Sequence, residues 1–563
     1  MDAGSPKHSR WAEVILAAVM TVVSVLAINR YRYGLYDHAI AIPFLKSLVN
    51  PALYRSDYIL PARSLYVSAL WPLLAVPVRL GLVGLPALLF GCHVVSILFT
   101  FLAIHRIALA LFRRQDAAIL SVFFALFSKP VLGGVHTLDL AFYPRVAALP
   151  LLLFAVDSFL RGAYVRCWTL QGIAFLIHPL TAVYASLGLS AAALVSLDRI
   201  GRRPLLRGLA IFAMLAVPLL VWQHLHAPAS LRALHADPVW VQILRLRSPQ
   251  HLFPFSWPAR EFLRAALFLG TFAWSFRFPP PAFLHRAVVA FCGVTLASWI
   301  AGTVLTEISP VPLVIQLQFF RGSTFLYFLS AIYVAHACVI LTERASHRAT
   351  AQAAACAAAV LYDATIWRYA LAGLIALLAV RHGLFAIPNT RSRRLWPLGL
   401  VAIAALLGMG VYIRKDPFTI GSSQRVEWLA AQRWAAQHTG VRDLFIVPPQ
   451  STGFRVESER AIYGDWKDGT LMFFDPAFGT VWMRRMRALG FREDRTLEEG
   501  YAALREQDFR KIAAEVAAPG VSTYLVTTGG RPDILFPVVF RNEAYVVYRL
   551  PGPPGGPRRS RGR

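Results

Sequence analysis

The stretch VILAAVMTVVSVLAI, Val14–Ile28, decides the fold class. It carries no charge, and apolar windows like it recur along the chain as far as Tyr412. A bilayer's hydrocarbon core needs about 20 apolar helical residues to cross it. The chain therefore reads as a polytopic α-helical membrane protein. Lys7, His8 and Arg10 before the first window resemble a signal-peptide n-region. No small-x-small cleavage site follows, however, and many more spans do, so the window reads as a retained anchor. Composition agrees, with 57% of the 563 residues hydrophobic and 15% charged, against about 25% charged in a soluble chain.

The formal charge of +27 is unevenly spread. Asp416 to Leu550 holds 17 basic and 17 acidic residues, and the remaining residues hold 40 basic against 13 acidic. Basic residues gathered in short loops between spans follow the positive-inside rule. They do not form the continuous basic face that nucleic acid requires, so nucleic-acid partners are set aside. The clusters Arg113–Arg114, Arg161/Arg166, Arg199 to Arg207, Arg277/Arg286, Arg344/Arg348 and Arg381 to Arg394 read as cytoplasmic turns. This gives an odd number of spans, about eleven to thirteen. The segments around His178-Pro179 and Trp367 are short for a crossing and read as half-helices or kinked pairs. The five cysteines lie in or beside apolar segments without CxxC spacing, as buried small hydrophobes do.

Residues 1–415 thus form a transmembrane helical domain with a first outer loop at about 30–63. Composition changes near Asp416. SSQRVEWLAAQRWAAQHTG predicts a serine-capped helix ended by Gly440, DLFIVPP a strand stopped by prolines, and STYLVTT and EAYVVYRL two more strands. Residues 416–550 read as a small extracytoplasmic α/β domain, and the Pro/Gly/Arg-rich residues 551–563 as a disordered basic tail. The expected location is the cytoplasmic (inner) membrane, multi-pass.

The first outer loop, YRYGLYDHAIAIPFLKSLVNPALYRSDY (Tyr31–Tyr58), holds Asp37 and Asp57 among five tyrosines. Carboxylates at a membrane boundary are costly unless solvated, paired or used. Asp37, Asp57, Asp139, Asp237, Glu261 and Glu307 make up the outer acidic set. Asp37 precedes apolar positions that suit a helix lying along the membrane surface. It could serve as a general base for an incoming hydroxyl or as the N-cap of that helix. Asp57 reads as a second base candidate or as a loop residue paired with Arg55 or Arg63. His136 and Asp139, three apart in HTLD, together with Asp37 and His38, leave a divalent cation open. LRLRSPQHLFPFSWPAR offers Arg245, Arg247, His251 and Arg260 among aromatics, and EISPVPLVIQLQFFRGS offers Glu307, Gln316, Gln318 and Arg321. Arginine grips phosphate oxygens bidentately; interfacial anchoring explains the same composition without a ligand. GFRVESERAIYGDWKDG reads as a solvated face, or as a surface that meets the acceptor or closes over the membrane site.

This layout resembles the GT-C superfamily of membrane glycosyltransferases: a first span, an acidic outer loop, many further spans, then an extracytoplasmic α/β domain. Family members place a catalytic aspartate in the first outer loop, where Asp37 is the positional match and Asp57 the second. TEIS around Glu307, followed by Arg321, is similar to the acidic loop and following arginine of oligosaccharyltransferases, although the WWD run of that group is absent. The resemblance implies a polyprenyl-phosphate sugar donor and an envelope glycan, lipid or protein as acceptor. His38, Arg245, Arg247, His251, Glu307, Gln318 and Arg321 would then line the substrate site. A transporter or flippase for a lipid-linked anion is the alternative, as is a non-catalytic envelope-assembly protein of the same fold. The absence of an internal repeat and the clustering of carboxylates at one boundary favour the enzyme.

Overall fold

The protein is described here from a computed structural model, which covers residues 10–344, 346–373 and 419–551. The arginine cluster from 381 to 394, the last apolar segments before 412 and the basic tail from 552 lie outside the described residues. Among the described residues, five helices are long and apolar enough to cross a membrane: Trp11–Ile28, Leu85–Phe112, Arg202–His226, Ala282–Ile308 and Pro312–Glu343. Shorter apolar helices, Gln115–Leu126 and Pro179–Leu194 among them, supplement them. The chain is thus a multi-pass helical membrane protein with a small α/β region near its end.

Two compact units group the chain. The first comprises residues 1–31, 89–224 and 248–418. Its centre is Pro312–Glu343, of which 89% of the most apolar window is buried, against 11% for Arg202–His226, whose Leu206, Met214, Leu220 and Val221 face outward. The helix Ser323–Glu343 packs on Gln115–Leu126, Ala259–Ser275 and His347–Leu361. The expected kink is real. Tyr164–Ile177 stops at His178, whose extended backbone admits Pro179 as the first residue of Pro179–Leu194. A proline cannot donate a helical hydrogen bond, and the His178 ring compensates by accepting one from the Thr181 N–H at 3.2 Å.

A short hairpin interrupts the helices: β1 (Pro130–Val131) pairs antiparallel with β2 (Val135–His136). Its turn needs Gly133 and Gly134, at φ +79° and +64°, where a side chain would be strained. Space demands them too. A Cβ on Gly133 would lie 3.0 Å from the Arg321 backbone nitrogen, and one on Gly134 2.7 Å from Nδ1 of His251. The hairpin is therefore pressed against the segment that carries Arg321.

The second unit comprises residues 32–88, 225–247 and 419–563, so the first loop groups with the α/β region. The helix expected after Asp37 forms at His38–Val49, but not as one lying open along a surface. Nine of its twelve residues are buried, and it packs on Leu70–Arg79, Phe454–Ser458 and Trp466–Phe473. Its tertiary partners exceed what an apolar stripe alone could indicate.

The sheet runs in the order β4-β3-β5-β7-β6. β3 (Leu444–Ile446) is parallel to β4 (Ala461–Ile462) and to β5 (Thr523–Thr528). β7 (Tyr545–Arg549) is antiparallel to β5 and to the edge strand β6 (Val538–Arg541). Helix Val426–His438 covers one face, and Trp428, Ala431 and Ala435 close on Phe445, Val526 and Val547. The expected serine cap is not made. Arg425 holds the N-cap position, while Ser423 Oγ accepts the Tyr33 N–H at 3.2 Å and Ser422 bridges to Tyr33. Tertiary pairing with the first loop has taken the Ser423 hydroxyl, while the Ser422 hydroxyl accepts the Gln424 N–H at 3.4 Å.

Candidate active site

In the second unit Asp37 sits at the head of His38–Val49 with helical dihedrals and makes no side-chain cap hydrogen bond. A true N-cap residue would be extended. Its carboxylate is instead in an ion pair with the Lys467 ammonium, with about a third of the side chain exposed. His38 beside it is fully buried, and its Nδ1 accepts the Gly34 N–H at 3.2 Å. The ring thus serves the backbone turn that aims Asp37.

Asp57 has a different fate. Nε of Arg455 donates to Oδ2 at 2.5 Å and Nη2 to Oδ1 at 2.9 Å, while the N–H groups of Ile462 and Ile59 complete the shell. Asp468 takes the other side of the same guanidinium, at 2.7 and 3.0 Å. Neither Asp57 nor Arg455 retains meaningful exposure. Asp57 therefore does not pair with the expected Arg55 or Arg63, which donate to Pro51 and Ser47. Local sequence could not reveal a partner 398 residues away. A carboxylate so enclosed anchors the loop and does not meet a substrate in this arrangement.

Asp465 caps the short helix Trp466–Phe473, accepting from the N–H groups of Lys467 and Asp468. Burial first, then the adjacent Asp468 charge, push its carboxyl up to about 7. Arg247 donates to the Trp466 carbonyl at 2.8 Å and to Thr470 Oγ1 at 3.3 Å. Burial lowers its pKa, while the charges of Asp465, Asp37 and Asp468 oppose that shift. Arg247 thus belongs to this carboxylate group, whereas Arg245 is exposed.

The first unit holds a narrow cleft of about 530 Å³ of empty space, counted out to open solvent. Ile97, Val146, Leu149 and Leu180 supply its apolar wall, and His136, Asp139, Arg145, His178 and Arg321 its polar groups. Arg145 grips Asp139 bidentately at 2.8 and 2.6 Å. Arg321 is set by the tight turn Phe319–Gly322, entered through Gln318 in the left-handed region at φ 42°. Such a conformation is strained for a residue with a side chain. Tyr184 steadies it, its hydroxyl donating to the carbonyls of Leu317 and Gln318 at 2.6 and 3.1 Å.

Of the other expected residues in this unit, His251 lies 2.7 Å through Nδ1 from the Gly133 carbonyl. Glu307 accepts the Phe255 N–H at 2.9 Å. Both therefore hold loops in place. His136 and Asp139 do share the cleft, but Asp139 is committed to Arg145, and among the described residues no three His, Cys, Asp or Glu side chains could hold a metal ion. Arg145, absent from the sequence reading, was signalled by YPRV: an arginine at the first turn of Pro144–Leu160, a helix that is otherwise apolar apart from one acidic residue.

A family model described as a domain of unknown function (DUF6798) matches residues 426–489. No curated protein matches the chain significantly. Among solved structures, the chain is similar to ArnT from Cupriavidus metallidurans bound to undecaprenyl phosphate, at 16% identity and TM-score 0.47, covering 97% of this chain and 98% of that one. It is also similar to an Archaeoglobus fulgidus oligosaccharyltransferase tethered to an acceptor peptide, at 12% identity and TM-score 0.49, covering 93% of this chain and 69% of that one.

Proposed function

We propose that this chain is a membrane glycosyltransferase that moves a sugar from a polyprenyl-phosphate-linked donor to an extracytoplasmic acceptor. The observation that carries the reading is the cleft, where Arg321 and Arg145 stand within an apolar wall in a chain of membrane-length helices. A guanidinium fork can hold a phosphate in two parallel hydrogen bonds. A sugar-phosphate-lipid is a diester with a single negative charge and an alkyl chain, so it suits both the arginines and the wall.

In the proposed reaction the acceptor hydroxyl attacks the anomeric carbon and gives its proton to a carboxylate base, for which Asp37 is the candidate by its place in the first loop. The bond from that carbon to the phosphate oxygen breaks, and the electron pair stays on the departing lipid phosphate. Arg321, supported by Arg145, stabilises the second negative charge that develops there. Asp57 anchors the loop instead of acting as a second base.

The test uses membranes containing the full chain, polyprenyl phosphate carrying a radiolabelled hexose or pentose, and the host's envelope acceptors. Label should pass to an acceptor with the wild type and fall by about 10²–10⁴-fold with Asp37→Asn. Undiminished transfer by Asp37→Asn would remove Asp37 from the mechanism. Donor crossing the bilayer with no transfer by either chain would support the flippase alternative.

A further inference from the structure

Lys467 was part of a charged run with no assigned role, yet the fold aims it at the loop carboxylate Asp37. Its backbone is not free to drift. The Lys467 N–H donates to buried Asp465 at 2.8 Å, and the Asp468 N–H to the same oxygen at 3.1 Å, in a capping box. Asp468 is held in turn by Arg455 and by the Tyr58 hydroxyl at 2.9 Å, and Arg455 grips Asp57 of the first loop. The base of the Lys467 side chain and the loop that carries Asp37 are thus fastened to one buried network. The chain of contacts ends at the Asp37–Lys467 pair, half-open to solvent.

We propose that Lys467 is the positioning residue of Asp37, fixing its rotamer and keeping it ionised until a substrate reaches it. The proposal rests on the reading of Asp37 as the base. An opposite charge in direct contact favours the ionised form of a carboxyl. Arg247, which interacts electrostatically with Asp37, adds to the effect. Lysine suits the task because a flexible point charge can let go of the carboxylate when a hydroxyl arrives.

The test reads Asp37 directly, without turnover. Full-length protein in nanodiscs is treated with a water-soluble carbodiimide and an amine, which label protonated carboxyls, and Asp37 labelling is followed by mass spectrometry at pH 6. Lys467→Met, close in bulk but uncharged, should speed labelling of Asp37 by about tenfold. Lys467→Arg should restore the slow rate, and exposed Asp494 should label alike in all three. Thermal melting checks that each variant is folded, and Lys467→Gln replaces the methionine variant if that one is not. An unchanged Asp37 rate in a folded, uncharged variant overturns the proposal, as does a fast rate in Lys467→Arg. Sugar transfer by the wild type is scored separately. Faster labelling with no transfer would keep the pair and sink the glycosyltransferase reading; transfer with unchanged labelling would do the reverse.

Discussion

At Arg321 the question is whether a charge alone suffices. A residue that merely snorkels to water could be replaced by lysine, whereas one that holds a phosphate through its planar fork could not. Arg321→Lys is expected to weaken titration of the lipid-phosphate donor by about 10- to 150-fold, or 1.5–3 kcal/mol, with insertion unchanged. A wild-type titration would return Arg321 to anchoring. Asp465 offers a second test, through pH. Its folded carboxyl is raised to about 7 from 3.8, so the folded state binds a proton that the unfolded state has released. The resulting stabilisation is complete below about pH 4 and lost as pH rises through 7. Asp465→Asn keeps the capping oxygen and removes the titration. Melting temperatures of the full protein should therefore fall less between pH 5 and 8 in the variant than in the wild type. Equal slopes would show that Asp465 does not titrate in this range.

Among the elements, the β1–β2 hairpin and the first loop place functional side chains by contacts distant in sequence. Gly133→Ala puts a methyl against the Arg321 backbone and a side chain at φ +79°. The strain should cost about 1–3 kcal/mol and disturb the turn that carries Arg321. A lower melting temperature and weaker donor titration are expected together; normal values for both would mean that the contact yields. Asp57→Asn breaks the buried pair and leaves Arg455 short of a counter-charge. That should cost about 3–5 kcal/mol, read as a lower melting temperature and faster proteolysis of the first loop. An undiminished melting temperature would deny Asp57 its anchoring part.

For the whole molecule, the neutral charge of the α/β region and the strongly basic composition of the helical loops predict an orientation. Alkaline phosphatase fused after Leu550 should be active, reporting an extracytoplasmic end; inactivity there, with an active cytoplasmic reporter at the same site, would invert the topology. Arg114 pairs with Asp116 and Glu343, and Arg161 with the buried Asp157.

Sequence alone determined what depends on local pattern. Long apolar windows gave the membrane helices, because hydrophobic length is a property of consecutive residues. His178-Pro179 marked its kink because proline's missing N–H is local, and β3, β5 and β7 were legible as bounded β-rich runs. Two-residue β4 and edge strand β6, which follows Pro537 and carries an irregular register, were too short or too broken to stand out. Tertiary structure decided the rest. Which charges neutralise one another depends on folding across hundreds of residues, so Asp57 with Arg455 and Asp37 with Lys467 had no signature along the chain. The pairing separated two loop aspartates that looked alike. A buried carboxylate must find its counter-charge to be tolerated, and of the two only Asp37 keeps part of its side chain in water.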